Sequence, residues 1–162
     1  MFLVNLKMEI DLKYFSHEEL LLLKQALKKT IRKILAYEWV NDLAGTSGGF
    51  IDKLEFLFDD FSKLILSCHD SEKRIQVYSN YDSDQHNEAL KHQFKGKIRV
   101  NTIDAGEYDL WKDVLGKKLN SFDFTINENG VVAEKLIFIF ESEKRIIELG
   151  AHDGLSIDYH EE

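Results

Sequence analysis

Two His-Asp pairs are the residues whose types could hold a metal ion. They are His69-Asp70 and His152-Asp153, and each precedes a short apolar segment that is predicted to form a strand. Two imidazoles and two carboxylates brought together would suit zinc or manganese, and would support a metal-dependent hydrolase. An Asp that hydrogen-bonds its own backbone in a turn explains the same residues without a metal. We keep the metal site as an alternative and predict no cofactor.

Other reactive residues lack the surroundings that catalysis needs. Cys68 directly precedes His69, but successive strand side chains point to opposite faces, so this thiol and imidazole would not meet. We expect Cys68 to be a small core residue. The glycine-rich segment at 45–49 has neither the lysine of a P-loop nor the spacing of a dinucleotide-binding loop. Paired carboxylates such as Asp59-Asp60 lie in predicted turns, without the apolar pocket of a general acid. We therefore predict no catalytic residue.

The composition is that of one folded, acidic domain. The 162 residues are 44% hydrophobic and 31% charged, with a net charge of −8. A chain of this length forms a single domain, and no apolar run approaches the roughly 18 residues of a membrane helix. The single cysteine excludes an intramolecular disulfide. No basic flank precedes the first apolar residues, so we expect a cytoplasmic protein without a secretory signal.

Nearly all of the excess negative charge lies in the second half of the chain. Residues 1–81 hold 12 acids and 11 bases, whereas residues 82–162 hold 17 acids and 10 bases. This half would repel a nucleic acid and attract a basic protein. We predict a protein partner, and neither a nucleic-acid nor a membrane partner. The candidate contact residues are acids of the second half: Asp109, Asp113, Glu128, Glu141, Glu143, Asp153 and Asp158.

One basic block stands out in the first half. It contains Lys24, Lys28, Lys29, Arg32 and Lys33. The C-terminus of a helix favours cations, and this accounts for Lys28 and Lys29. Contact with a membrane or a nucleic acid is the alternative for the block.

Two aligned segments predict an internal repeat. Residues 53–66 align without gaps on residues 135–148, and residues 26–34 align on residues 114–122. The first alignment superposes apolar residues, with Leu54, Phe56 and Phe58 on Leu136, Phe138 and Phe140. Two copies are too few for a solenoid. We therefore predict a pseudo-symmetric single domain over 1–162, with repeats at about 16–80 and 104–160 joined by a connecting segment at 81–103.

Each repeat is predicted to be a short helix followed by an antiparallel meander, which gives an α+β, β-rich fold. A capping box at Ser16 and Glu19 begins the first helix, and Asp104 begins the second, which Gly116 ends. The predicted strands are 31–40, 50–58, 63–68 and 74–79, then 119–126, 131–140, 144–149 and 155–159, with further strands at 97–103 and 3–10. The polar residues 82–95 are predicted to be a loop with a short helical turn. One sheet, a sandwich and a barrel all remain open.

The second strands of the two repeats differ on one face. Glu55 and Leu57 occupy that face in the first repeat, whereas Ile137 and Ile139 occupy it in the second. A strand that is apolar on both faces is normally covered on both. The first helix, the other repeat or a second chain could provide the cover, so a structural homodimer is an alternative.

A family resemblance rests on the second repeat. It carries Trp111-x-x-x-Leu115-Gly116, a strand and hairpin, then Leu136-x-Phe138-x-Phe140 and Asp153-Gly154-Leu155-x-Ile157. Over about residues 107–159 this pattern resembles small bacterial proteins of the type that provides immunity in polymorphic toxin systems. The resemblance implies a protein that binds and blocks a cognate toxin without chemistry, and it assigns no functional residue. The leading hypothesis is therefore a non-enzymatic binding protein.

Overall fold

Antiparallel strands and three helices make up most of the described chain. The computed structural model describes residues 13–41, 49–69, 73–150 and 154–159. Helix α1 (His17–Ala26) precedes β1 (Ile31–Asn41), β2 (Gly49–Phe58), β3 (Lys63–His69) and β4 (Arg74–Tyr78). Helix α2 (Ser83–Phe94), β5 (Ile98–Asp104), a 3-10 turn (Ala105–Glu107) and the one-turn helix α3 (Asp109–Lys112) follow. The last strands are β6 (Ser121–Asp123), β7 (Ile126–Asn127), β8 (Gly130–Val131), β9 (Lys135–Ile139), β10 (Lys144–Leu149) and β11 (Leu155–Tyr159).

The strands form two main sheets, and every strand pair is antiparallel. Sheet 1 has the order β4-β3-β2-β1-β5, and sheet 2 has the order β11-β10-β9-β6. Strands β7 and β8 form a separate two-stranded hairpin. The prediction of an antiparallel α+β fold is thus confirmed. The predicted strand at 3–10 lies outside the described residues.

The main core lies between the two sheets. Phe56 of β2 and Phe138 of β9 bring their ring centres to 5.0 Å, and Trp111 of α3 approaches Phe56 at 5.5 Å. All three side chains are buried, and they belong to one cluster that includes Leu23 of α1. The alternation of apolar residues along β2 and β9 explains this packing, since every second side chain of a strand faces the same side.

Backbone hydrogen bonds join the ends of the two halves in a reciprocal pattern. The N–H of Lys28 donates to the carbonyl of Leu119 at 2.7 Å, and the N–H of Gly116 donates to the carbonyl of Ile31 at 2.8 Å. In the sequence alignment, Lys28 and Ile31 correspond to Gly116 and Leu119, so each bond is the counterpart of the other. Lys28 and Gly116 also share a positive φ, of 71° and 81°.

Several elements differ from their sequence predictions. The predicted strands 119–126 and 131–140 are both interrupted, as β6 and β7 and as β8 and β9. Residues 82–95 were expected to form a loop with a short helical turn, yet α2 runs for 12 residues. The Asp82 side chain caps it by accepting a hydrogen bond from the Gln85 N–H. The second predicted helix is shorter than expected, because only α3 and the 3-10 turn before it are helical. None of the helices in the described ranges has the length and apolar character needed to cross a membrane.

The outer faces of the two sheets, which point away from the shared core, differ in their cover. On sheet 1, α2 packs against β5, and Leu90 joins Tyr37, Ile98 and Val100 in a second buried cluster. On sheet 2, Ile137 and Ile139 are only partly buried. The inner face of β9 packs against the other half, but the described residues do not fully bury its outer face, where full internal burial was expected. Helix α1 packs against β3 and β4 instead.

Candidate binding surface

The outer face of sheet 2 is the strongest candidate for a functional surface, and we call it the β9–β10 face. Three strand registers align its central row, which runs across the four strands in the order Asp123, Ile137, Ile146, Asp158. The neighbouring rows add Ser121, Ile139 and Lys144 on one side, and Lys135, Glu148 and Ser156 on the other. Two adjacent isoleucines are thus flanked on both sides by an aspartate.

Strand alternation explains why these side chains point outward. Phe138 and Ile147 are fully buried in the core between the sheets. Ile137 and Ile146 are their chain neighbours, so they project to the opposite face. Neither of the two buried clusters of the described residues includes Ile137, Ile139 or Ile146. The result is an apolar centre of three partly exposed isoleucines on the outer face of sheet 2.

The two aspartates at the ends of the central row have the same local geometry. Asp123 accepts a hydrogen bond from the Phe124 N–H at 3.0 Å, and Asp158 accepts one from the Tyr159 N–H at 2.8 Å. Both carboxylates are exposed. An apolar centre with a charged, solvated rim is the usual anatomy of a protein–protein interface.

The predicted contact acids fall at several places, and one of them belongs to this face. Asp158 ends the central row. Asp109 pairs with Lys112 at 2.9 Å, and Glu143 lies beside the buried Arg145, whose Nη1 donates to Glu143 at 2.8 Å and whose Nε donates to the carbonyl of Leu110. The hydrogen bond from Arg145 holds the pKa of Glu143 below its usual value.

The remaining predicted acids are distributed over both ends of sheet 2. Glu141 lies in the β9–β10 turn, and Asp113 follows α3. Glu128 lies in the β7–β8 turn. This hairpin follows the end of β6 at which Asp123 pairs with Ile137. The β9–β10 turn lies beyond the other end, where Ser121 pairs with Ile139. Asp153 lies outside the described residues.

Three of the four proposed metal ligands lie outside the described residues. They are Asp70, His152 and Asp153, whereas His69 ends β3 opposite Arg74. Among the described residues, no group of three or more His, Cys, Asp or Glu side chains is arranged to hold a metal ion. Cys68 packs, partly buried, against the main core.

A buried polar network under α2 was not predicted from the sequence. The Tyr37 hydroxyl donates to Glu55 at 3.2 Å, and the Lys53 ammonium bonds to Asp52. Asp52, Lys53 and Glu55 are all buried despite their charges. The bulge between Ile51 and Lys53 is what places Asp52 beside the next lysine. Charged residues alternating with Leu54 and Phe56 were the available signal, but they also fit an exposed face.

Tyr81 and His86 connect this network to α2. The Tyr81 hydroxyl lies 2.6 Å from Nδ1 of His86, and the Lys53 ammonium lies 4.8 Å from the Tyr81 ring centre. Burial and the Asp52 charge raise the pKa of Tyr81, while burial and Glu55 raise that of Tyr37. Burial and the Lys53 charge lower the pKa of His86. Contacts with the Tyr81 ring connect the bonded pairs, since the ring centres of Tyr37 and Tyr81 lie 4.8 Å apart, and His86 joins them to α2.

An apolar cleft of about 420 Å³ opens between the sheets beside α3. Its lining includes Ile51, Ile103 and Trp111. Among the described residues that line it, Glu38 and Tyr108 are the ionisable ones. Catalysis requires several converging polar groups on the reacting atoms, and this lining does not supply them.

The fold and the β9–β10 face together define an antiparallel α+β protein. The outer face of its second sheet carries partly exposed isoleucines that are flanked by acids. Comparison of the chain with protein-family models, curated proteins and solved structures finds no match in any of the three.

Proposed function

We propose that this chain is a non-enzymatic, cytoplasmic binding protein that uses the β9–β10 face to hold a basic protein, and that it neutralises a toxin by doing so. The observation that carries the proposal is the row Asp123, Ile137, Ile146, Asp158 across four strands. The isoleucines offer apolar area to be buried, and the exposed aspartates attract cations at the rim. A basic partner with an apolar contact patch is complementary to both features.

The charge of the face favours a different protein over a second copy of this chain. The outer face carries three acids, Asp123, Glu148 and Asp158, and two bases, Lys135 and Lys144. Lys135 and Glu148 are cross-strand neighbours, so their charges offset each other. Two such faces stacked about a two-fold axis would bring acidic rims together, and like charges in an interface cost binding energy.

We also infer that the two halves are copies of one ancestral unit. Both meanders keep the strand order of the chain, and the reciprocal hydrogen bonds at Lys28 and Gly116 support equivalence. Lys29 pairs with Asp60 at 3.0 Å, and its aligned counterpart Lys117 donates at 3.1 Å to Ser142, which aligns with Asp60. The inference accounts for the open face, because α2 covers sheet 1 and sheet 2 has no counterpart of α2 among the described residues.

The proposal is tested by affinity capture with matched variants. Immobilised wild-type protein is exposed to a lysate of the source cells at low and at high ionic strength, and retained proteins are identified by mass spectrometry. One variant, Asp123→Lys/Asp158→Lys, reverses the rim. A second, Ile137→Ser/Ile146→Ser, removes the apolar centre. The control, Glu88→Lys/Glu107→Lys, makes the same change of net charge at exposed acids away from the face.

The pattern across the four baits decides the outcome. We expect one basic protein to be retained by the wild type and by the control, lost from both face variants, and released at high ionic strength. Thermal melting of each bait confirms that it is folded. Equal retention by face variants and wild type contradicts the proposal, as does a wild-type bait that retains no protein in a face-dependent way. A dimer that is lost in the face variants would assign the face to a second copy instead.

A further inference from the structure

An exposed phenylalanine occupies the tip of the β2–β3 turn in an unfavourable backbone conformation. Phe61 is 71% exposed, and its φ of 67° lies in the left-handed region that favours glycine. A bulky side chain persists in this region only where surrounding contacts fix it, and such positions are frequent in binding sites. The turn therefore exposes a large apolar ring to solvent and places a residue other than glycine in the left-handed region. Both arrangements are unfavourable.

A set of hydrogen bonds makes this turn rigid. The Phe61 N–H donates to the Phe58 carbonyl, and the Phe58 N–H donates to the Ser62 carbonyl, both at 3.0 Å. The Asp60 carboxylate accepts from the Ser62 N–H at 2.9 Å and pairs with Lys29 at 3.0 Å. Hydrogen bonds from Ser62, then Lys29, lower the pKa of Asp60 to about 2, so this carboxylate stays charged near neutral pH.

A bulge in the neighbouring strand brings an arginine to the ring. The register of β1 with β2 shifts between Ile31 and Lys33, which leaves Arg32 as an extra residue. Arg32 and Lys33 are consequently both exposed. The Arg32 guanidinium carbon lies 4.8 Å from the centre of the Phe61 ring. This cation–π contact fixes the orientation of the ring without burying it.

A cleft and a group of cations adjoin the ring. The cleft has a volume of about 410 Å³, and Leu22, Ala26 and Phe58 form its apolar lining. Lys29 and Lys63 also line it. Lys29 pairs with Asp60 and Lys63 pairs with the buried Glu55, whereas Arg32, at the ring, and its neighbour Lys33 are exposed. Arg32 and Lys33 therefore give the turn a local positive charge on a protein whose net charge is −8.

The equivalent turn of the second half lacks this arrangement. In the alignment, Glu143 stands where Phe61 stands, and Asn120 stands where Arg32 stands. In both turns the aligned lysine, Lys29 or Lys117, donates to a serine, although the two serines are not aligned. The exposed ring and its arginine are therefore a property of the first half alone, and folding the shared turn does not require them.

We propose that Phe61, Arg32 and Lys33, with the adjoining cleft, form a second docking surface that binds an acidic peptide segment of a partner protein. Carboxylates of the segment would pair with the cations, and an apolar side chain would enter the cleft beside the ring. A short segment touches the positively charged turn alone, whereas a long nucleic acid would also meet the acidic remainder of the surface. The surface lies on the other sheet from the β9–β10 face and has the opposite charge, so it goes beyond the proposed function.

Fluorescence polarisation with a defined probe tests this surface. The probe is a short labelled peptide of Asp, Glu and Ser with one central Leu, compared with the same peptide carrying Ser for Leu and with a labelled single-stranded oligonucleotide. The variants are Phe61→Gly, which removes the ring and relieves the backbone strain, and Arg32→Gln. The control is Ile126→Ser, since Ile126 is 68% exposed on another hairpin.

We expect the Leu-containing peptide to bind the wild type and Ile126→Ser equally, and more weakly as ionic strength rises. Phe61→Gly weakens binding by at least about tenfold, as expected for an aromatic anchor, and the peptide without Leu also binds more weakly. No binding to the wild type, or equal binding by Phe61→Gly, overturns the proposal. Tighter binding of the oligonucleotide through the same residues assigns the surface to nucleic acid. Self-association lost in Phe61→Gly assigns it to a second copy. The rim variant Asp123→Lys/Asp158→Lys retains peptide binding, so failure here is separable from failure of the β9–β10 face.

Discussion

The rings of Phe56 and Phe138 meet between the two sheets, with their centres 5.0 Å apart and their planes inclined by 36°. The two residues correspond to each other in the sequence alignment of the halves, so one aligned position contacts its own counterpart. Two copies of one unit related by a two-fold axis would make a contact of this type, so the contact supports the proposal that the halves are copies.

Truncating either ring should be costly and coupled. Phe56→Ala and Phe138→Ala are each expected to lower the free energy of unfolding by about 3–5 kcal/mol, because both side chains are fully buried. The double variant should lose less than the sum, by about 0.5–1.5 kcal/mol. Urea unfolding of the four proteins measures the cycle. Strict additivity of the two losses would contradict direct packing of the rings.

Glu19 should contribute far more to the free energy of unfolding than its chain neighbour Glu18. Its carboxylate accepts hydrogen bonds from the Ser16 N–H at 3.0 Å and the Val77 N–H at 2.8 Å, and it pairs with Arg74 at 2.9 Å. Glu19→Gln should cost about 2–4 kcal/mol, because a buried ion pair loses one charge. Glu18→Gln, on the exposed side of α1, should stay within about 0.5 kcal/mol. Similar losses for both variants, measured by denaturant titration, would refute this role.

Most strands of the two main sheets could be predicted from the sequence, but α2 could not. Apolar segments bounded by turn residues located β1 to β4 and β9 to β11 to within a few residues, apart from the start of β9. Helix α2 has a single fully buried side chain, Leu90, so it gives almost no apolar periodicity. Its capping aspartate, Asp82, and the spacing of His86, Leu90 and Phe94 were the signals that remained.

The exposure of the β9–β10 face could not be predicted from the sequence. The sequence favoured burial of both faces of the strand with Ile137 and Ile139, because it is apolar on both. In the structure, the strand that is covered on both faces is instead β2, which carries Glu55. Its carboxylate can be buried because it accepts a hydrogen bond from the Tyr37 hydroxyl and lies 3.9 Å from the Lys63 ammonium. The order of apolar residues in a sequence indicates which faces can be buried. It does not show which charged side chains will have bonding partners when they are buried.

Stability should fall as the pH drops below neutral, partly through His86. Its pKa is lowered in the folded protein by burial and Lys53, so the unfolded chain takes up a proton first. The stabilising effect of a neutral His86 is present above its ordinary pKa of about 6.5 and is lost as pH falls towards the folded value. His86→Asn keeps an acceptor for Tyr81 and should flatten the pH dependence of the melting temperature in this window. His92→Asn is the control, because His92 is 81% exposed on the same helix. An unchanged slope in His86→Asn would remove His86 from this account.

Two glycines with similar backbone angles should differ in their tolerance of a methyl group. Gly154 has a φ of 74°, and a Cβ there would lie 2.5 Å from the Ile51 carbonyl oxygen. Gly96 has a φ of 78° and nothing within 4 Å of such an atom. Gly96→Ala should cost about 1 kcal/mol from backbone conformation alone. Gly154→Ala should cost about 2 kcal/mol more, because the loop before β11 must move. Equal costs in thermal unfolding would show that this loop does not constrain β2.

The kinetics of the partner captured through the β9–β10 face provide the most direct test. Stopped-flow association at several ionic strengths would compare the wild type with Asp123→Asn/Asp158→Asn and with Ile137→Ala/Ile146→Ala. We predict that loss of the aspartates lowers the low-salt association rate by about tenfold and weakens its salt dependence, whereas loss of the isoleucine side chains mainly speeds dissociation. Wild-type association and dissociation rates in both variants would contradict the assignment of this face as the binding surface.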